Sequence, residues 1–516
     1  MKFPRSCGIL VHPTSFPSPY GIGDLGQEAK NFINFLVSTH QSVWQMLPLG
    51  PTGFGESPYA SYSAFAGNHY LISPDILLEK GLINNNELAN GKSTPTTQVN
   101  YSKAYQFKDG IFDLACVRFY KDSKASTIKS FEIFKKKNAY WLDDYVLFMA
   151  CMTHYGQKPW NTWEKGLVMR DKKTMDKFRE RLKAIVDLHY WLQFEFFEQW
   201  FALRKYANDH QILVIGDIPI FVDHNSSDVW SKPGFFELDE TGNRRLVSGV
   251  PPDYFSDTGQ LWGNPLYKWS AMEEDGYSWW VERFSQMFKL FDAMRVDHFR
   301  GFDAFWEIQA GAPTAENGRW VKGPGEKLFD VIQSKLGRLP IIAEDLGVIT
   351  HDVLELRDKF DFPGMKVLQF SFSGDSANSF LPHNYKSTNS IVYTGTHDND
   401  TTLGWYEQAP EIEKHRVREY LNTDGNEINW DLIRLAMFSV ANQAIFPLQD
   451  LMSLKSDHRM NFPGTVEGNW LWRYTSEMLD RIEKERIRKY TEMTNRNPRN
   501  NRKDINMSEI EDQDVN

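Results

Sequence analysis

Short apolar runs, each closing on a Gly-bearing or polar loop, recur along this chain at the length of buried strands. The first covers residues 8–11 and ends at His12-Pro13-Thr14. A helical period follows from 26 or 27 to about 39, with Ala29, Phe32, Ile33, Phe35 and Leu36 on one face. A second run covers 43–47, so the chain opens as strand, helix, strand. Comparable runs lie at 212–217, 293–297, 341–344, 365–370 and 391–394, with a last one at 444–451. Several are continuous rather than alternating, as parallel strands covered on both faces should be. This pattern predicts an α/β chain built as a (β/α)8 TIM barrel.

Two stretches interrupt the pattern. About 160 residues separate the second and third runs, and helix-length apolar patterning at 112–120, 141–151 and 183–206 predicts a mostly helical insertion over about 53–205. A second insertion, over about 223–287, is rich in Trp, Pro and Gly and reads as loop. Residues 1–485 thus form one catalytic barrel with two insertions. From 486 to 516 the chain is polar and nearly without aromatics, which predicts a solvated, disordered tail.

Three of the later runs end in carboxylates. Arg295-Val296-Asp297-His298-Phe299-Arg300-Gly301-Phe302 closes one, Glu344-Asp345-Leu346-Gly347 the next, and His397-Asp398-Asn399-Asp400 a third. Carboxylates at the carboxyl ends of barrel strands meet at one face. A retaining glycosidic-bond enzyme needs a nucleophile, a general acid/base and further charge near an oxocarbenium-like transition state. Residues two apart in a strand share a face, so Arg295 lies beside Asp297. Its guanidinium is expected to lower the Asp297 pKa and keep the carboxylate ionised. An Arg–Asp pair of this spacing is also a common structural ion pair; the polar and glycine residues behind it favour the catalytic reading. Glu344 and Asp345 point to opposite faces, and alternation favours Glu344 for the barrel axis. His397 and Asp398 suit the hydroxyl groups of a sugar ring.

Composition narrows this further. A net charge of −10 argues against nucleic acid or an anionic membrane as the main partner and is compatible with a neutral sugar. Aromatic residues make up 14% of the chain; most must be core, and those in polar, Gly/Pro-rich loops (Tyr59, Tyr254, Phe255 and Trp262) are candidate sugar platforms. Cys7, Cys116 and Cys151 are far apart and form no CxxC pair, so reduced, buried thiols are expected. No HxH, HExxH or EF-hand spacing is present; neither a metal nor another cofactor is expected. The sequence shows no secretory h-region or membrane-length apolar stretch, and the protein is expected to be cytoplasmic. Oligomeric state is not legible.

With these residues in place, the chain resembles the 4-alpha-glucanotransferases known as amylomaltases or disproportionating enzymes, glycoside hydrolase family 77. The resemblance runs from Gly8 to about Arg473. It is carried by the opening from Gly8 to Ser15, by Pro19-Tyr20-Gly21-Ile22-Gly23-Asp24-Leu25-Gly26, and by Trp44-Gln45-Met46-Leu47-Pro48-Leu49-Gly50-Pro51-Thr52. Ser57-Pro58-Tyr59-Ala60-Ser61-Tyr62, Gly216-Asp217-Ile218-Pro219 and Gly249-Val250-Pro251-Pro252-Asp253-Tyr254-Phe255 match as well. Near the end come Arg459-Met460-Asn461, Pro463-Gly464-Thr465, Asn469-Trp470 and Trp472-Arg473.

The resemblance implies a barrel of the alpha-amylase clan with inserted subdomains and no C-terminal β-sandwich, acting on maltooligosaccharides and linear α-1,4-glucan. It implies Asp297 as nucleophile, Glu344 as acid/base and Asp398 as a third carboxylate gripping sugar hydroxyls. Arg295 and His397 then support the subsite at the cleaved bond, Asp217 closes the third strand, and Tyr59 stacks on sugar. Tyr254 and Phe255 belong to a flap over the acceptor side, in the second insertion. Gln309 departs from the family's usual Pro. An alpha-amylase-type hydrolase shares every catalytic carboxylate and stays open as an alternative; a silent glucan-binding protein has no need of the trio.

Overall fold

The computed structural model describes residues 3–94, 96–252 and 256–497. Eight parallel strands close into a barrel: β1 (Ser6–Leu10), β2 (Val43–Gln45), β3 (Leu213–Ile218), β6 (Ala293–Val296), β9 (Ile341–Ala343), β10 (Gly364–Val367), β11 (Ser390–Tyr393) and β12 (Gln443–Pro447). Each coincides with one of the apolar runs, and nearly every strand residue is buried. The barrel closes between its first and last strands, with Ser6 opposite Gln443 and Leu10 opposite Pro447. Close approach of β1 to β2 requires glycine at position 8, where a Cβ would lie 2.2 Å from the Val43 carbonyl oxygen.

Two runs end sooner than the apolar pattern predicts. Residues 448–451, expected as strand, form a short helix behind Pro447; residues 368–370 turn into a 3-10 segment. In both places the chain bends out of the barrel while its side chains stay buried, which hydrophobicity alone does not distinguish from strand.

The first insertion is dominated by three long helices, Tyr101–Asp122, Ala125–His154 and Lys183–Asp209. The last of these returns the chain to β3. On the way, its Gln193 exchanges hydrogen bonds with the Gly67 backbone (2.8 and 2.9 Å) and its Gln199 accepts from Ser73 N (2.8 Å). The helix thereby holds the loop region that carries Tyr59.

The second insertion is more ordered than its composition suggested. It contributes β4 (Leu246–Val250) and β5 (Gln260–Pro265), which join β7 (Ala304–Gln309) and β8 (Gly318–Lys322) in an antiparallel sheet of order β5-β4-β7-β8. Gln309 is the last residue of β7 and pairs with Leu246. The sheet is tied to the loop after β3 by Tyr267 Oη donating to Ile220 O (2.7 Å) and Asn264 Nδ2 donating to Val222 O (3.1 Å).

The expected tail needs correction over its first part. Lys484–Met493 is a helix, and Arg496 beyond it is fully buried beneath the barrel. Few apolar side chains hold this segment, which is why its composition reads as solvated. Residues 498–516 lie outside the described residues. No helix among the described residues is long and apolar enough to cross a membrane.

Candidate active site

The carboxyl ends of four barrel strands supply the site. Asp217 is in β3, Arg295 in β6 with Asp297 directly after it, Glu344 follows β9, and His397 and Asp398 lie in the loop after β11. Arg295 organises the floor. Its Nη2 donates to Asp217 Oδ2 (2.7 Å) and to Asp297 Oδ1 (2.9 Å), and its Nε reaches Asp217 Oδ2 as well (3.0 Å). Tyr59 Oη donates to the same Asp217 oxygen (2.7 Å). Burial opposes the Arg295 charge, but Asp217, Tyr59 and Asp297 outweigh it and raise its pKa well above the ordinary value.

Immediately after Asp297 the backbone turns left-handed at His298 (φ 49°, ψ 49°), a conformation that costs energy for a residue with a side chain. The turn aims the His298 N–H at Glu344 Oε2 (2.8 Å), and Leu346 N donates to the other oxygen (2.9 Å). Asp345 turns away, to Arg357 Nη1 (2.5 Å) and Met365 N (2.7 Å). Glu344 thus faces the cleft beside Asp297, while its neighbour braces the barrel wall.

The electrostatics of Asp297 differ from the expectation. Arg295 does lower its pKa, but burial raises it more, and Asp217, Glu344 and Asp398 add to the rise. The Asp297 side chain keeps 30% of its surface open, so burial here is that of a cleft wall, and three neighbouring carboxylates push the pKa the same way. Arg295 is second only to burial among these influences and is the one that opposes the rise. Glu344 is raised too, by burial foremost, against Arg295 and its two backbone donors. Two adjacent carboxyls of this kind hold one proton between them more tightly than a carboxyl in water.

The third carboxylate sits across the cleft. Asp398 Oδ1 accepts from Asn461 Nδ2 (2.6 Å) and lies 3.3 Å from His397 Nε2. The His397 ring stacks on Tyr59, with centroids 5.2 Å apart and planes 10° from parallel, and Trp470 completes the cluster at 5.9 Å from Tyr59. Burial keeps His397 below its ordinary pKa, with Asp398 opposing. Trp262, in β5, meets the His298 ring edge-on at 4.7 Å; burial pushes His298 down to about 3, so this ring is neutral. Two open pockets flank the Tyr59–His397 stack, one lined by Asp217, Phe221 and Arg283, the other by His12, Asp400 and Arg459. Tyr254 and Phe255 lie outside the described residues. Among the described residues no group of three or more His, Cys, Asp or Glu could hold a metal ion, and Cys7, Cys116 and Cys151 are free and buried.

Three contacts of the third carboxylate's loop carried no assigned role in the sequence. Asn461 grips Asp398, Arg459 donates to the Asp398 carbonyl and holds Asn461 O (2.6 Å), and Trp470 abuts the ring stack. Their only signal was membership of the motifs at 459–461 and 469–470, since none carries a carboxylate at a strand end.

Comparison with known proteins meets this geometry. The profile described as 4-alpha-glucanotransferase matches residues 11–479. The chain belongs to the 4-alpha-glucanotransferase family. It is an enzyme of that class. The 4-alpha-glucanotransferase of Thermus thermophilus is 47% identical over 96% of this chain and all of that one, and that of Synechocystis is 48% identical over 92% and 95%. Among solved structures, the amylomaltase of Streptococcus agalactiae in complex with acarbose superposes with a TM-score of 0.92 at 39% identity, over 95% of this chain and 99% of that one. The amylomaltase of Corynebacterium glutamicum shares the fold at a TM-score of 0.76 and 17% identity, over 94% and 75%.

Proposed function

We propose that this 4-alpha-glucanotransferase moves α-1,4-glucan segments between maltooligosaccharides by a retaining double displacement. Asp297 attacks the anomeric carbon and forms a glycosyl ester as Glu344 protonates the departing glycosidic oxygen. Glu344 then takes the proton of an incoming sugar hydroxyl, which attacks the ester and releases Asp297. Arg295, in direct contact with Asp297 Oδ1, is the largest influence opposing the rise at that carboxyl, and we assign the negative charge at the moment of attack to Asp297 and the shared proton to Glu344. Asp398, held by Asn461, grips hydroxyls of the reacting sugar. Tyr59, stacked on His397, offers that ring an apolar face, and Trp262 flanks the acceptor side. The acarbose bound by the Streptococcus agalactiae relative supports an oligosaccharide in this cleft.

The single observation behind the mechanism is the pairing of two raised carboxyls across the His298 backbone, one of them on a guanidinium. Transfer must also beat water, present at about 55 M, by position and by exclusion of solvent. The loop carrying Tyr254 and Phe255 is our candidate for that exclusion, because its prolines stiffen its base and its aromatics offer little polar surface. Incubation with maltotriose tests the whole reading. Transfer yields a ladder of longer oligosaccharides with free glucose, whereas a digest dominated by new reducing ends would identify a hydrolase and overturn it.

A further inference from the structure

The loop that presents His397 and Asp398 is closed at its base by one buried side chain. Asp450 lies in the short helix Leu448–Leu451 behind β12 and is 1% exposed. Its Oδ2 accepts from Thr394 Oγ1 (2.6 Å) and Thr402 Oγ1 (2.7 Å), and its Oδ1 accepts from Thr402 N (2.7 Å). Thr394 is the residue after β11, and Thr402 begins the next helix, Thr402–Gln408. Both ends of the loop are therefore tied to one carboxylate, and Gln369 adds a second tie by donating from N to Thr394 O (3.3 Å) and from Nε2 to Asp400 O (2.9 Å).

Asp450 is itself fixed. Asn429 Nδ2, from the helix Ile428–Phe438, donates to the Asp450 carbonyl (2.9 Å) and to Ser453 Oγ (2.9 Å). The strands do not need this arrangement to pair, since Ile391, Val392 and Tyr393 of β11 already face Gln443, Ala444 and Ile445 of β12. What Asp450 adds lies beyond the strand ends, on the loop. There it complements the contacts at the apex, where Asn461 N donates to His397 O (3.2 Å) and Asn461 Nδ2 holds the Asp398 carboxylate.

We propose that Asp450 is a positioning residue: by tying Thr394 to Thr402 it fixes the geometry in which Asp398 meets the donor sugar. The proposal rests on the role given to Asp398 above. Loosening a group that acts in the transition state costs rate more than ground-state binding, so the loss should fall on kcat.

A double-mutant cycle of Asp450→Asn with Asp398→Asn, assayed by disproportionation of maltotriose, tests it. Alone, Asp450→Asn should lower kcat about 10- to 100-fold with KM within about threefold, because misplacement of a reacting group by ~1 Å has effects of that order. In the Asp398→Asn background the same change should cost less than about threefold of the residual rate, as residues acting through one another are not additive. Equal losses in the two backgrounds, or a wild-type kcat in Asp450→Asn, overturn the proposal. If Asp450→Asn does not fold, Thr394→Val replaces it in the cycle, and Thr394→Ser, which keeps the hydroxyl, must restore the rate. Failure of the Asp398 role shows separately, as wild-type turnover in Asp398→Asn alone. Hydrogen exchange then decides: faster exchange confined to residues 394–402 in Asp450→Asn supports the clamp, and unchanged exchange overturns it.

Discussion

The two ends of the barrel both bury charge, and they do so with opposite chemistry. At the carboxyl end, Asp217, Asp297, Glu344 and Asp398 gather around one guanidinium, Arg295. At the amino end, two guanidiniums gather among backbone carbonyls. Arg496 donates from Nε to Met437 O (2.9 Å), from Nη1 to Ser6 O (2.8 Å) and Asn442 O (3.0 Å), and from Nη2 to Ala441 O (2.9 Å). Arg5 shares the Met437, Ser439 and Ala441 carbonyls and reaches Thr494 O (2.8 Å). Burial presses the Arg496 pKa down to about 9, with Arg5 acting the same way and Cys7 opposing. Every nitrogen of Arg496 has an acceptor. Open groups occur at both ends, with Gln41 Oε1, Ser42 Oγ and Gln443 Oε1 below, but Asp217 Oδ1 and His298 Nε2 are buried without a partner beside the carboxylates of the cleft. Unmet hydrogen-bonding capacity at a cleft is capacity a ligand can meet; a saturated cation binds chain to chain.

If that contrast is right, changes at the two ends should separate rate from stability. The largest effect is expected for Asp297→Asn, which keeps the shape and removes the charge of the proposed nucleophile. Turnover of maltotriose should fall by several orders of magnitude while the melting temperature moves little; near-normal turnover would sink the assignment. Glu344→Gln should cost about 10²- to 10⁴-fold on glucan, the usual span of general acid–base catalysis. A glycosyl fluoride donor needs little acid help, so this variant should accumulate the covalent intermediate, and absence of an adduct by mass spectrometry with donor bound counts against the role. In the wild type, the raised Glu344 value sets the alkaline limb: the acid form is lost as pH rises through it, so kcat/KM should fall at a pH above the ordinary carboxylate range of ~4. A limb near that ordinary range contradicts the burial argument.

At the other end, Arg496→Met should lower stability by at least about 2 kcal/mol, since several buried carbonyls lose their donor at once. The kcat of the folded fraction should stay as it was; a parallel fall in kcat would erase the distinction between the ends. The smallest effect concerns the acceptor-side loop. Tyr254→Ala combined with Phe255→Ala should raise the ratio of hydrolysis to transfer a few-fold, on the scale of one or two kcal/mol of lost positioning. An unchanged ratio in a maltotriose digest removes the loop from the mechanism.

The barrel was legible because its strands are buried on both faces and therefore read as unbroken apolar runs. The four-stranded sheet was not. Gly249, Gly263 and Pro265 break the pattern of β4 and β5, and β5 and β8 are largely open to solvent, so neither a continuous run nor a clean alternation survives there. The strand-end carboxylates were legible from position and chemistry. Alternation also separates Glu344 from Asp345, because the chain is still extended where they diverge. What stayed hidden was support that depends on distant chain: Asn461 and Trp470 reach the cleft from beyond the last strand, and Asp450 reads as one more apolar-flanked acid until its threonines are brought beside it. The Lys484–Met493 helix was missed for a related reason. It is anchored by hydrogen bonds around Arg496 more than by an apolar face, and hydrogen bonds to carbonyls leave no mark on composition.

Closure of the barrel between Ser6 and Gln443 also sets a schedule for biosynthesis. One edge of β1 has no partner until β12 leaves the ribosome. At translation rates of about 5–20 residues per second, that interval is roughly 20 to 90 s. Throughout it the nascent chain carries an apolar, unpaired strand edge, the kind of edge that pairs with other chains. The last helix and Arg496, which lock Ser6 from below, emerge later still, so the lock can form only after the final barrel contact is available.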